Sequence, residues 1–213
     1  MKRLLSGLVS LAITSMATPA AAQLATGRSG TSSTTVSDSE KVFLENLWSY
    51  GSCFADSMHA DTKALLATTR GSAEEAAIYA RVRGAKLFCG GGEMYFTVPV
   101  QSLRGAVAEG AYRKMVKRSA VPSLTPEPPG PPATTVSDGM RCYVAGHAAA
   151  AHALIFDTRP GSSKEERAIN AMLPDFFHCL SPRVAVDISA VEFRYAAAEA
   201  LYHAVLAERQ AAQ

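Results

Sequence analysis

The sequence lacks an excess of charge of either sign. The chain has 213 residues, with 21 Lys and Arg against 19 Asp and Glu. Two of the positive charges, Lys2 and Arg3, lie in a segment that we expect to be removed, which leaves 19 against 19. A neutral chain argues against a broadly basic nucleic-acid binder. Because 48% of the residues are hydrophobic and 19% are charged, the composition predicts a packed protein rather than a disordered one.

The sequence also lacks the short motifs of common catalytic and cofactor sites. It has no Gly-x-Ser-x-Gly, no Cys-x-x-Cys and no dinucleotide-binding glycine fingerprint. The segment Cys89–Gly92 contains three glycines but lacks the Lys-Ser/Thr ending of a phosphate-binding loop. None of the five histidines has His-Glu-x-x-His spacing. We therefore predict no metal and no cofactor, and the sequence gives no positive support for an enzyme.

Long apolar runs are also absent, apart from a short one at the N-terminus. Lys2 and Arg3 precede the 13-residue stretch Leu4–Met16, and the small residues Ala20–Ala22 follow it. This order is typical of a secretory signal peptide over residues 1–22, with Gln23 as the first mature residue. Thirteen residues are too few to span a bilayer. We expect an exported, soluble protein, periplasmic or extracellular, with no transmembrane helix in the mature chain.

Composition divides the remaining sequence into four segments. Residues 23–36 are rich in Ser, Thr and Gly and predict a flexible lead-in. Residues 119–133 hold six of the eleven prolines, a pattern that excludes a helix and favours an extended linker. The linker separates residues 37–118 from residues 134–213, two parts of similar size. We refer to these two parts as the first half and the second half.

The two halves read as copies of one unit. Matching residues follow the same order with one inserted residue, Pro160: Cys53-Phe54 and Cys142-Tyr143, Ala64-Leu65 and Ala153-Leu154, Thr69 and Thr158, Arg70 and Arg159, Gly71-Ser72 and Gly161-Ser162, Glu75 and Glu165, Cys89 and Cys179, Arg104 and Arg194, Glu109 and Glu199, and Tyr112 and Tyr202. So regular a match over about 60 positions predicts a tandem duplication.

Each copy is predicted to contain three helices. In the first half, apolar residues recur at near-helical spacing up to Arg70, and Gly71 can end that helix in the left-handed conformation. Ser72–Glu75 then starts a second helix with a capping box, and the second half repeats this turn at Gly161. A third helix follows in each half. The expected fold is all-α, a helical hairpin plus a third helix, present twice.

The four cysteines fit this hairpin. Cys53 and Cys89 both lie 18 residues from Gly71, and Cys142 and Cys179 lie 19 and 18 residues from Gly161. Equal spacing from the turn places each pair at the same level, at the open end of its hairpin. Of the three possible pairings, the geometry favours Cys53–Cys89 and Cys142–Cys179, one disulfide in each copy.

Short extended segments follow the second cysteine of each copy. Met94–Val98 and Val184–Ile188 both alternate apolar and polar residues. We therefore considered a two-stranded β pairing between the copies, although such a ribbon is only marginally stable without covering helices.

Six polar residues of the third helices recur in both copies: Arg104, Glu109, Tyr112, Arg194, Glu199 and Tyr202. Within a copy the Arg and Glu lie five positions apart, so they cannot pair with each other along one helix. One interpretation is an acid–base pair made of Glu109 and Glu199. The alternative is structural, with the polar side chains fixing helix contacts within or between copies and Arg bound to carbonyls at a helix end.

One asymmetry separates the copies. From Asp38 to Cys53 there are 15 residues, but from Asp138 to Cys142 only four. The 11 extra residues correspond to about three helical turns and extend the first helix. They contain Trp48 and Tyr50, for which we considered two roles. The aromatic residues either pack on the second copy or project as a partner-binding surface.

The sequence thus predicts a helical-repeat protein with no recognisable catalytic motif. The functional hypothesis is a binding or scaffolding module of the bacterial envelope whose partner is an envelope protein or a small ligand. The alternatives are an envelope hydrolase that uses Glu109 and Glu199 and a periplasmic chaperone with exposed apolar surface around Trp48.

Overall fold

The computed structural model describes residues 38–83, 87–89, 92–94, 98–118, 120–122, 124, 132–182 and 188–213. The predicted signal peptide, the lead-in and most of the proline-rich linker lie outside these residues. Seven helices make up almost all of the described structure: α1 Asp38–Ser57, α2 His59–Ala67, α3 Ala73–Val82, α4 Val100–Met115, α5 Val136–Asp157, α6 Ser163–His178 and α7 Ala190–Ala211. The all-α prediction is confirmed.

The tight turns in the two halves have the predicted left-handed glycine and serine cap. The full capping box is not formed, because the side chains of Glu75 and Glu165 accept from the N–H groups of Gly71 and Gly161. Gly71 and Gly161 have φ of 75° and 74°, the left-handed region that glycine tolerates best. Ser72 and Ser162 cap α3 and α6, because each side chain accepts a hydrogen bond from the backbone N–H three residues later.

The first helix of each half is interrupted at a corresponding place. We predicted one helix up to Arg70, but Met58, with φ −122° and ψ 57°, separates α1 from α2. In α5, His147 has the non-helical angles φ −132° and ψ 35°. Met58 lies five residues after Cys53, and His147 lies five residues after Cys142. The long apolar pattern is therefore bent in both halves, and periodicity alone did not indicate the bend.

The third helices, α4 and α7, form the centre of the molecule. They pack against each other, α1 packs on α4, and α5 packs on α7. Small residues allow the close approach. A Cβ added to Gly51 of α1 would lie 2.3 Å from the backbone of Ala106, and one added to Gly105 of α4 would lie 2.2 Å from Tyr195 of α7. The interior contains two hydrophobic clusters, and each includes residues of both halves.

The disulfide Cys142–Cys179 is present, with a Cα–Cα distance of 5.8 Å, and joins α5 to the residue after α6. This prediction is confirmed. Cys53 is also disulfide-bonded. The structure does not describe the side chain of Cys89, so the Cys53–Cys89 pairing stays a prediction.

Two short strands lie between α3 and α4. The strands β1 Leu87–Cys89 and β2 Gly92–Met94 form an antiparallel pair within the first half, in which Leu87 pairs with Met94. The predicted pairing between halves involves residues 95–97 and 183–187, which lie outside the described residues, so it stays a prediction. Where the structure is described, no helix combines the length and apolar character needed to cross a bilayer.

Candidate functional site

Arg104 of α4 lies at the centre of a buried ionic cluster in the first half. Its guanidinium donates to Glu75 at 3.0 Å and to Glu199 of α7 at 2.9 Å. The side chain is 2% exposed. Its remaining N–H groups donate to the hydroxyl of Thr68 and to carbonyl oxygens at the end of α2, namely those of Leu65, Leu66 and Thr68.

Arg194 of α7 makes the corresponding contacts in the second half. It donates to both carboxylate oxygens of Glu109, at 2.7 Å each, and to Glu165 at 3.0 Å. It also caps the end of α5 by donating to the hydroxyl of Thr158 and to the carbonyl oxygens of Leu154, Ile155 and Thr158. Because each helix end leaves carbonyls without intrahelical partners, one arginine satisfies several of them at once.

These contacts change one detail of the internal alignment. The sequence match placed Thr69 opposite Thr158 and made Pro160 the inserted residue. In the structure, Thr68 contacts Arg104 as Thr158 contacts Arg194. The extra residue of the second half therefore lies one helical turn earlier, at the end of α5.

Glu109 and Glu199 each pair with the arginine of the other half. Glu109 is fully buried and accepts from Arg194, from Arg113 at 3.2 Å and from the indole of Trp48 at 2.9 Å. Glu199 accepts from Arg104 and from Arg70. Both carboxylates are thus neutralised by guanidinium groups in the interior. This geometry gives no support to the acid–base pair considered for a hydrolase, which needs a carboxyl group free to exchange a proton.

The buried charges perturb one another. Burial by itself would raise the pKa of Glu199, but His203, Arg104 and the charge of Arg70 outweigh it and lower that pKa to about 2. For Glu165, burial prevails and raises the pKa, although Arg194 and the N–H of Gly161 oppose it. Burial opposes the charge on Arg194, yet Glu109 and Glu165 raise its pKa. Glu199 and Arg194 are therefore held in their charged forms.

The two recurring tyrosines differ in their surroundings. Tyr112 is fully buried, and its hydroxyl bonds to Nδ1 of His152 at 2.7 Å. Tyr202 is 5% exposed, and its hydroxyl has no hydrogen-bond partner in the part of the chain that the structure describes. Burial raises the pKa of both phenols, which remain protonated donors near neutral pH.

The extension of α1 does not form the predicted partner surface. Tyr50 is 2% exposed and packs beside Leu47 and Phe54 in the interior. Trp48 is half-buried. Its indole donates to Glu109, and the guanidinium of Arg113 covers its ring at 5.2 Å from the ring centre. Of the two roles considered for these residues, projection of Tyr50 toward a partner is contradicted by its burial. The hydrophobic cluster that contains Tyr50 also includes Tyr195 of the second half. Trp48 is only partly accessible, so little of its ring is available to a partner.

An open cleft of about 1030 Å³ lies between α2, the first turns of α5 and α7. Its wall carries four cations, Lys63, Arg70, Arg104 and Arg141, against the carboxylates of Asp138 and Glu199. The remaining lining residues include apolar and polar side chains: Leu66, Ala67, Thr68, Thr69, Thr135, Ser137, Ala196, Ala200, Tyr202, His203, Leu206 and Gln210. Lys63 has no ion-pair partner among the described residues.

The corresponding region of the other half is closed by large side chains. Ten residues before the bend stand Trp48 in the first half and Ser137 in the second. Ala67 lies nine residues after the bend in the first half, and Phe156 lies nine residues after the bend in the second half. Over Glu109, the guanidinium of Arg113 lies between the rings of Trp48 and Phe156, 5.2 and 4.9 Å from their centres.

The open cleft has a smaller residue at each of these three positions. Ser137 replaces Trp48, Ala67 replaces Phe156, and His203, four residues after Glu199, replaces Arg113. Lys63 occupies the position of His152, five residues after the bend. The cleft is therefore the counterpart of a filled site, left open by small side chains.

In the described part of the chain, no cluster of His, Cys, Asp and Glu has the geometry to hold a metal ion. The cleft residues Lys63, Arg70 and His203 were not singled out from the sequence. Aligning the halves at their bends, and comparing residue sizes around the recurring glutamates, would have found them. No family model, curated protein or solved structure matches this chain.

Proposed function

We propose that this chain is an exported binding module that takes a small molecule in the cleft over Glu199. The observation that carries the proposal is the difference between the two halves. The site over Glu109 is filled by Trp48, Arg113 and Phe156, and the corresponding site over Glu199 is open. The cleft volume, about 1030 Å³, is at the upper end of the roughly 300–1,000 Å³ of small-molecule sites.

Unpartnered polar groups in the cleft wall support the same proposal. A hydroxyl group that faces an open cleft without a protein partner can exchange its water for a hydrogen bond to a ligand. The hydroxyl of Tyr202 has none in the described structure, whereas that of Tyr112 bonds to His152. Lys63 is exposed at the same wall, and its ammonium group has no ion pair there. A ligand in the cleft would satisfy both groups.

A blocking substitution tests this function. Ser137→Trp places the residue of the filled site in the open one, and Ser163→Trp, at an exposed position on α6, is the matched control. NMR signals of the His203 ring are followed while the mature chain is mixed with small anionic, cationic and neutral fragments, both aromatic and aliphatic. We expect at least one fragment to shift the His203 signals but not those of the exposed His178, and Ser137→Trp alone to abolish the shift. The proposal fails if no fragment does so, or if the blocked variant responds like the control.

We also propose a tandem duplication with one disulfide in each copy, exported by the N-terminal signal. The matching bends, serine caps and arginine contacts support the duplication. The disulfide-bonded state of Cys53 supports the pairing with Cys89. Mass mapping of unreduced protein recovered from the periplasm of an expressing bacterium should yield Gln23 as the first residue and a Cys53–Cys89 peptide. A Cys53–Cys142 peptide contradicts the repeat, and an unprocessed N-terminus contradicts the export.

Neither alternative function has an observation of comparable weight. A hydrolase needs a carboxyl group that is free to titrate, and both recurring glutamates are paired with arginine. A chaperone needs a broad exposed apolar surface around Trp48. Near it, Val42 and Phe43 are 57% and 44% exposed, but Leu44, Leu47 and Tyr50 are buried.

A further inference from the structure

We infer that the ligand of the cleft is a small aromatic carboxylate, an inference that rests on the proposed function. The filled site over Glu109 shows which chemical groups fit in this position of the fold. A guanidinium lies between two flat rings, and an indole N–H donates to the glutamate. Since the open site is built on the same helices, a ring of similar size fits the space that Ser137 and Ala67 leave.

The cleft provides a surface on which such a ring can stack. Arg70 reaches Glu199 from the rim of the cleft, and its side chain is 34% exposed, so part of the guanidinium is accessible. Guanidinium groups attract the faces of aromatic rings, as Arg113 does on the filled side. Leu66, Ala200 and Leu206 supply apolar wall for the ring. An aliphatic chain would also cover this wall, but only an aromatic face stacks on the guanidinium.

The charge of the cleft selects an anion. Of the four cations in the wall, Arg70 pairs with Glu199, Arg104 with Glu199 and Glu75, and Arg141 with Asp138. The charge of Lys63 is left over. Lys63 is the cation of the wall that has no ion pair among the described residues, and the Tyr202 hydroxyl is a further donor of the wall without a partner there. At the positions of Lys63 and Tyr202, the other half has His152 and Tyr112, which bond to each other. A carboxylate can accept hydrogen bonds from both the ammonium and the phenol.

Calorimetry with three probes tests the inference. Indole-3-acetate carries the ring and the carboxylate, tryptamine carries the same ring with a cation, and acetate carries no ring. The full mature chain is compared with Lys63→Met, with the matched exposed control Lys164→Met, and with the blocked Ser137→Trp. A second blocking variant, Ala67→Phe, is used if Ser137→Trp does not fold.

We expect indole-3-acetate to bind one to one, at least about tenfold more tightly than tryptamine or acetate, because only it satisfies both features. Lys63→Met should weaken its binding about fivefold or more, as expected for one charge-assisted contact. Lys164→Met should leave binding unchanged, and the blocking variants should abolish it.

Three results would overturn the inference. Equal binding of tryptamine excludes the selection for an anion, and binding that survives both blocking variants places the probe outside the cleft. If indole-3-acetate does not bind, the ligand class is wrong. In that last case the shift of the His203 signals by other fragments decides separately whether the proposed function stands.

Discussion

Arg104 and Arg194 each use a whole guanidinium group to join three helices. Each ties the end of one helix to a glutamate near the start of another and to a glutamate of the opposite half. Removing one partner of such a buried pair typically costs about 3–5 kcal/mol, because a charge is left without compensation. The fold tolerates these charges in its interior because each guanidinium is hydrogen-bonded to carboxylate, hydroxyl and carbonyl oxygens.

The sequence indicated part of this arrangement at the residue scale. The five-residue spacing excluded a local Arg–Glu pair and left the carbonyls of a helix end as an alternative. The exchange of glutamates between the halves could not be deduced, because it depends on how α4 and α7 pack. The sequence match paired Arg70 with Arg159, but the contacts in the structure place Pro160 at that position. The repeat therefore did not indicate that Arg70 reaches Glu199.

Glu199 should make the protein sensitive to acid. Its pKa in the folded chain is about 2, below its ordinary value of 4.5. The unfolded chain therefore takes up the proton first, so the stabilisation is complete above about pH 4.5 and is lost as the pH falls toward 2. We expect the free energy of unfolding to fall by about 3 kcal/mol more in the wild type than in Glu199→Gln over that interval.

Urea titrations at several pH values measure this difference. Asp157→Asn is the control, because the ion pair of Asp157 with Arg118 is exposed and should contribute little. Parallel acid profiles for the wild type and Glu199→Gln would show that Glu199 does not stabilise the fold through its charge.

At the scale of the elements, the turns were predictable and the bends were not. A left-handed glycine followed by a serine cap is a local signal, and both turns have it. Met58 and His147 are ordinary residues in a helical pattern, so nothing local marks them. The bends occur in the helices whose ends contact Arg104 and Arg194, and those contacts come from distant parts of the chain.

The close packing of α1 on α4 leaves no space for a side chain at Gly51. A Cβ at this position would meet the backbone of Ala106 at 2.3 Å, so Gly51→Ala forces the helices apart. We expect a loss of about 1–3 kcal/mol in the free energy of unfolding. The control is Gly146→Ala on α5, where a Cβ meets nothing within 4 Å and should stabilise the helix by about 0.5–1 kcal/mol. Denaturant unfolding checks both, and equal effects would contradict this account of the packing.

At the scale of the whole molecule, the main feature is the difference between two corresponding sites. The site over Glu109 is filled by side chains, and the site over Glu199 is open. The three residues that close the site over Glu109 come from both halves, since Trp48 and Arg113 belong to the first and Phe156 to the second. The extension of α1 therefore contributes to the closed site.

Trp48→Ser should open a second cleft over Glu109. Glu109 loses the indole N–H, and the packing on Arg113 is lost. We expect a destabilisation of about 2–3 kcal/mol, somewhat below that of a fully buried tryptophan. Added free indole should restore part of the lost stability by occupying the new space.

Thermal unfolding with and without indole measures this rescue. The control is Val42→Ser, at a 57% exposed position, which should change stability by less than about 0.5 kcal/mol and should not respond to indole. A destabilised Trp48→Ser that ignores indole would mean that the site collapses rather than opens.

The sequence by itself determined the helical class, the tight turns, the Cys142–Cys179 disulfide and the near balance of charge, with 21 Lys and Arg against 19 Asp and Glu. Each of these depends on local chemistry or on simple counting along the chain. The tertiary structure decided which glutamate meets which arginine, where the long helices bend, that Tyr50 is buried and that a cleft lies over Glu199. The exchange of glutamates depends on the packing of α4 against α7, which brings together residues about 90 positions apart. The burial of Tyr50 depends on tertiary packing as well, because α1 packs on α4. Composition alone also did not show that four cations, Lys63, Arg70, Arg104 and Arg141, meet in the wall of one cleft.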